Sequence, residues 1–262
     1  MWPHVHRYPH ATSVMFNRSN ASQKVDLALS RRGALELAMR RHAHRVPDVL
    51  PGLPAMLKIG TVKDVELDDL NALRLAIFDL PAAIKDQTGA LADARRAELE
   101  ALWREALATM MYSAQISAIQ GGSVGATVLG ALLHRAGHAL ATGALAAAEV
   151  EQNTKLDSPS AADWLARSGD SMFDALARGW RVPEQVIRIV QSWQRHGESE
   201  EFPRESSAVY FGHVLAMELL YPEWSLPAAI DAAASELQLN SETLEWVRGE
   251  RPAIVRLIEA AA

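Results

Sequence analysis

The chain has 262 residues, no cysteine and a formal net charge of −6. That length buries a full core without staples, and the missing cysteines exclude a disulfide framework, a thiolate metal site and a cysteine nucleophile. The charge is uneven: residues 1–45 hold eight Arg or Lys against two acids, for +6, and the remainder holds eighteen against thirty, for −12.

Helical periodicity dominates and no long alternating β-branched runs appear, which predicts an all-α fold. Ser22 caps a first helix running to Arg45. Residues 1–45 read as a basic helical arm, and 46–262 as the main helical domain. The arm is expected to pack on the body through Val25, Leu29, Leu35, Leu37 and Met39, with its arginines facing acidic side chains or solvent. Its basic residues are not interleaved with a dense set of aromatics, so nucleic acid is not the expected partner.

Pro47, Pro51 and Pro54 punctuate the next stretch, around a short helix from Leu53 to Ile59. Another helix is read from Glu66 to Phe78. Ile84 to Ala90 is a loop, and a long amphipathic helix follows over 91–119, closed by Gly121-Gly122. Ser123 then caps a helix over 123–149 whose apolar stripe is Leu129, Leu132, Leu133, Ala136 and Leu140. Val124 to Ala148 is the longest apolar stretch, but His134, Arg135 and His138 near its middle make it a buried core helix and not a membrane span. Gln152 to Ser160 is a polar connection. Helices follow over 161–179 and 183–195, the second with Pro183 in its first turn. His196 to Arg204 is a charged loop, and a helix over 206–220 comes next. Ser225 with Pro227 opens another helix, and Asn240-Ser241-Glu242 opens a short one to Val247. Pro252 is expected to break the pattern before a last apolar turn or two.

Few residues offer chemistry. His134 and His138, at i and i+4, share one face of a straight helix and could clamp a metal with Glu105 as third ligand. Arg135 opposes this, because a fixed cation repels a divalent ion and has no lone pair to offer. The expectation is therefore no metal and no cofactor, with His134 a partly buried histidine that has a hydrogen-bond partner. Trp103 and Trp180 read as core anchors. No Gly-x-Ser-x-Gly elbow occurs, and no strand precedes Gly130, Gly137 or Gly143, so they form no phosphate loop.

Several segments resemble, in order, the motifs of the HDOD domain, the non-catalytic signalling relative of the HD-superfamily metal-dependent phosphohydrolases. They are Leu50-Pro51-Gly52-Leu53-Pro54-Ala55, Val65 to Leu70, Leu102-Trp103-Arg104-Glu105-Ala106-Leu107-Ala108, Leu129 to Gly137, and Gly179-Trp180-Arg181-Val182-Pro183-Glu184. Ala208 to Leu220 and Leu237 to Val247 resemble the closing helices, so the likeness spans residues 46–250. It implies an HD-like multi-helix bundle. It also implies a degenerate metal site: Glu105 stands where the enzymes carry a His, Arg135 where they carry the Asp of the His-Asp pair, and Gly169 at a third His position. Ser192, Trp193 and Gln194 stand where further histidines are expected, and His138 is not a ligand position in the family.

The function this implies is a non-enzymatic signal-transduction module that binds partner proteins of a bacterial signalling pathway. The alternative is a divergent metal-dependent phosphohydrolase acting on a nucleotide or phosphodiester. The chain lacks an apolar run at its N-terminus, so no secretory signal is expected, and a cytoplasmic location fits the absence of cysteine.

Overall fold

The computed structural model describes residues 33–43, 64–195, 204–224 and 227–261, with 47, 48, 56, 58, 60 and 61. The described residues form helices and turns, with no strand among them. Residues 33–43 are helix α1. α2 is Leu67–Leu73 and runs on into a π-helical turn, Arg74–Phe78. There follow α3, Ala90–Ile119; α4, Val124–Leu133; α5, Ala136–Gln152; α6, Ser158–Trp180; and α7, Glu184–Ser192, which ends in a 3-10 turn at Trp193–Arg195. The last are α8, Arg204–Leu220; α9, Pro227–Glu236; α10, Ser241–Gly249; and α11, Arg251–Ala261.

α3 is the axis of the bundle. From Leu99 to Ser117 it is buried on nearly every side, including Trp103, Leu107, Met110, Tyr112 and Ile116. A helix with apolar and small residues all round has no solvent face and must be central. α8 lies along it, and α4, α5 and α11 pack on its other sides. Two groups converge on the far end of the chain: the Trp103 indole N–H donates to Ala261 O at 2.9 Å, and Arg74 Nη1 donates to the same oxygen at 3.2 Å. On the α5 side, Arg95 clamps the buried Glu149 carboxylate with two bonds of 3.0 Å, and the Leu156 N–H adds a third at 2.9 Å. A buried carboxylate is tolerated when its lone pairs are met this way.

Local signals set the helix ends. Gly121, at φ 68°, stops α3, and Ser123 Oγ caps α4 by accepting from Ala126 N. Asp157 Oδ1 caps α6 and Asn240 Oδ1 caps α10. Asn153 and Arg181 close α5 and α6 in the left-handed region.

Glycines let helices touch backbone to backbone. A Cβ on Gly137 would stand 2.1 Å from Gly169 O, so α5 and α6 meet there with no side chain between them. On the α6 side, a Cβ at Gly169 would find its nearest neighbour at 3.6 Å, an ordinary contact. Gly137→Ala should therefore cost about 1–3 kcal/mol by wedging two backbones apart. Gly169→Ala should be neutral, or up to about 1 kcal/mol stabilising through helix propensity. Urea melts of the pair test this asymmetry.

Three expectations need correction. The helix expected over 123–149 is two helices, broken at His134-Arg135. Leu37, expected to face the body, is 61% exposed; Leu35, Ala38 and Met39 make that contact, against Leu145 and Ala148 of α5 and Leu156, Ala161 and Trp164. Pro252 does not reduce the chain's end to a turn, because at the second position of α11 its missing N–H lies among donors that have no helical partner anyway. The arm's Val25 and Leu29, most of the short helix over 53–59, most of the charged loop 196–204 and the cap at Ser225 lie outside the described residues.

Candidate functional site

Glu105 sits on the inner face of α3, 5% exposed. The α4–α5 break brings two more side chains to it. His134 Nδ1 lies 2.6 Å from Ala131 O, and since a carbonyl only accepts, the ring nitrogen is the donor. The ring thus occupies a carbonyl that a continuing helix would offer to a backbone N–H. The chain turns at once, with Arg135 at φ −107°, ψ 3°. On a straight helix, neighbouring residues diverge by roughly 100°. Across this break both His134 and Arg135 reach Glu105: Arg135 Nε donates to Glu105 Oε1 at 2.6 Å, and His134 Nε2 is 3.6 Å from the same oxygen.

The third arrival is His213 of α8, which the sequence reading did not single out. Its Nδ1 is 3.1 Å from Glu105 Oε1, though not aligned as a hydrogen bond. Gly212 makes this approach possible, since a Cβ there would stand 2.1 Å from Ser113 Oγ and 2.9 Å from backbone atoms of α3. The ligand atoms of Glu105, His134 and His213 all lie within 4.8 Å of one another. Trp193 walls the cluster edge-on, its ring centroid 4.9 Å from His134 and 4.8 Å from His213, with the Arg135 guanidinium carbon 5.7 Å from its own.

Electrostatics follow from burial and charge. Burial pushes the Glu105 carboxyl up, but the His134 and His213 contacts and the Arg135 charge outweigh it and hold the group well below the usual carboxylate range. Burial pulls His134 down to about 4 against the opposing pull of Glu105, helped by the His213 and Arg135 charges. At neutral pH His134 is therefore a neutral imidazole. Its single N–H goes to Ala131 O, so Nε2 presents a lone pair toward the Glu105 carboxylate. Both Nε2 and His213 Nδ1 are buried without a hydrogen-bond partner.

The remaining residues raised from the sequence divide. His138 is not an i+4 partner of His134, because the helix breaks between them. It faces Glu98 instead, Nε2 to Oε1 3.8 Å. Gly169 forms the α5–α6 contact. Ser192 donates its hydroxyl to Arg188 O and shares a 2.6 Å bond with Ser206, while Trp193 and Gln194 border the site. A cavity of about 710 Å³ opens from His134, Arg135 and Trp193 between α5 and α6, with Gly169, Asp170, Phe173 and Asp174 along its α6 side. Asp174 accepts from Gln191 at 3.2 Å, and Asp170 is exposed at the rim. No helix among the described residues is long and apolar enough to cross a membrane. The chain matches no protein-family model, no curated protein and no solved structure.

Proposed function

We propose that this all-α chain is a non-catalytic interaction module of the HDOD type, acting in the cytoplasm of a bacterium by binding a partner protein of a signalling pathway. The observation that supports this is the Arg135–Glu105 bond. The cluster holds a single carboxylate, and that carboxylate is already bonded to a guanidinium at 2.6 Å. The resemblance implies an Asp where Arg135 stands, so the cluster lacks the second acid that the phosphohydrolases use. A scaffold that loses catalytic ligands keeps its shape, and shape suffices for recognition.

The second reading is a divergent metal-dependent phosphohydrolase acting on a nucleotide or phosphodiester. It is favoured by the convergence of Glu105, His134 and His213, with a cavity bordered by His134, Arg135 and Trp193 beside them. Incubating the purified chain with Mn2+, Co2+ or Zn2+ and a panel of nucleotides and phosphodiesters separates the two. No turnover above a Glu105→Gln control is expected. Turnover that His134→Gln removes would replace the first reading with the second. Partner binding is tested by recovering associated proteins from the native host and repeating the binding calorimetrically with both components pure.

A further inference from the structure

We propose that Glu105, His134 and His213 bind one late first-row divalent ion of the zinc type, which ties α3, the α4–α5 turn and α8 together. This goes beyond the interaction-module reading and does not depend on it, since an ion can fasten helices in a protein with or without catalysis.

The geometry of His134 carries the inference. Its ring lies between two acceptors, Ala131 O at 2.6 Å and Glu105 Oε1 at 3.6 Å. A neutral ring satisfies only one of them and leaves a buried lone pair opposite a carboxylate, and this side chain is 0% exposed. A cation between the nitrogen and the oxygen removes the conflict. A histidine whose other nitrogen donates to a backbone carbonyl is what a metal ligand requires, because that bond fixes the tautomer and aims the lone pair. His213 Nδ1 is a second buried nitrogen without a partner, and it faces the same oxygen.

The spacing fits as well. Tetrahedral ligands at metal bonds of about 2.0–2.2 Å stand roughly 3.3–3.6 Å apart. The His134 separation is 3.6 Å, the His213 separation is 3.1 Å and so a few tenths of an ångström short, and all three ligand atoms lie within 4.8 Å of one another, which a small shift of the rings about one ion accommodates. Two imidazoles in a set of three select zinc, cobalt, nickel, copper or iron over magnesium and calcium, which take oxygen. Arg135 is compatible with this role: ligand carboxylates ordinarily carry a hydrogen bond from outside the metal's own shell, and Arg135 Nε supplies one to Glu105. The cavity bordered by His134, Arg135 and Trp193 lies beside the cluster.

The test uses the full chain, stripped with chelator and titrated with Co2+. A single Co2+ per chain should bind and show the visible d–d absorption of a low-coordinate nitrogen and oxygen site, displaceable by Zn2+. His134→Gln and His213→Gln should each abolish the bands, with circular dichroism confirming their fold, and His138→Gln should retain them. No bands in the wild type at saturating Co2+ would overturn the proposal, as would bands that persist in both His134→Gln and His213→Gln. If those variants do not fold, the wild-type melting temperature decides: it should rise by several degrees with Zn2+ and not with Mg2+, and equal shifts with the two ions would also overturn the site. A bound ion together with phosphodiester turnover would refute the non-catalytic reading and leave the metal site standing.

Discussion

Trp103→Ala should lower the unfolding free energy by about 3–5 kcal/mol, the largest loss from any single side chain here. The indole is fully buried in the middle of the central helix, with the Phe78 ring centroid 5.3 Å away. Truncation empties a large volume where α3 and α11 meet, and α3 is fixed on its other sides by α4, α5 and α8, so the space cannot collapse. It also removes the N–H donated to Ala261 O, leaving Arg74 as the remaining described donor to that oxygen. Trp103→Phe keeps most of the volume and loses the bond, so it should recover more than half of the loss. Urea denaturation at neutral pH, followed by far-ultraviolet circular dichroism, measures both. A truncation cost under about 1 kcal/mol would mean that the core relaxes freely.

The second large effect is an acid-sensitive stability carried by His134. Burial depresses its folded pKa to about 4 from the ordinary imidazole value of 6.5. Between these values the unfolded chain takes up a proton that the folded chain refuses, so stability rises with pH across this window. The contribution is complete above pH 6.5 and is lost as the pH falls toward 4, amounting to something on the order of 3 kcal/mol. Glu105 adds to the loss lower down: its folded pKa lies below the ordinary carboxylate value of 4.5, so the stability it supplies is present above that value and drains away beneath it. Urea melts between pH 7 and pH 4, with chelator present, should show the decline, and His134→Gln should flatten it above pH 4.5. A wild-type profile flat over that range would mean that His134 titrates normally and is not held neutral by burial.

Much of the helix order was legible because its signals are local. Ser123 and Asn240 announce helix starts through side-chain oxygens that reach a backbone N–H three residues on, and Gly121 announces an end through its positive φ; Asp157 caps α6 in the same way, three residues ahead of the start expected at Ala161. The break at His134-Arg135 was not legible. Leucine, alanine and glycine continue on both sides at helical spacing, and the interruption comes from a ring bonding to a carbonyl three residues back. Leu37 misled because helical spacing names a face without saying how wide the contact on it is; the seat offered by α5 and α6 takes Leu35, Ala38, Met39 and, a turn on, Ala43, and leaves Leu37 outside.

The site was legible in part for the same reason. Glu105, His134 and Arg135 sit in stretches whose neighbours carry the HDOD resemblance, so the sequence drew attention to them. His213 lies on a separate helix, inside the Ala208 to Leu220 stretch that resembles a closing helix of the family but in which no ligand was expected. Its one sequence signal is the preceding glycine, Gly212, and a glycine inside a helix marks close approach without saying to what. His138 drew attention for its spacing, which loses its meaning once the helix breaks between the two histidines.

α5 and α6 serve two sites at once. Toward the C-terminal end of α5 they form the seat for α1, through Leu145, Ala148, Ala161 and Trp164; toward its N-terminal end they wall the cavity, through Gly137, His138, Gly169 and Phe173. The backbone contact of Gly137 with Gly169 lies at the cavity end and acts as the fulcrum between them. Anything that fills the cavity and shifts the two helices about that fulcrum must change the free energy with which α1 is seated. By reciprocity, seating α1 must then change the affinity of the occupant by the same factor. The seat of α1 and the cavity thus share two helices, so whatever moves those helices at one is felt at the other.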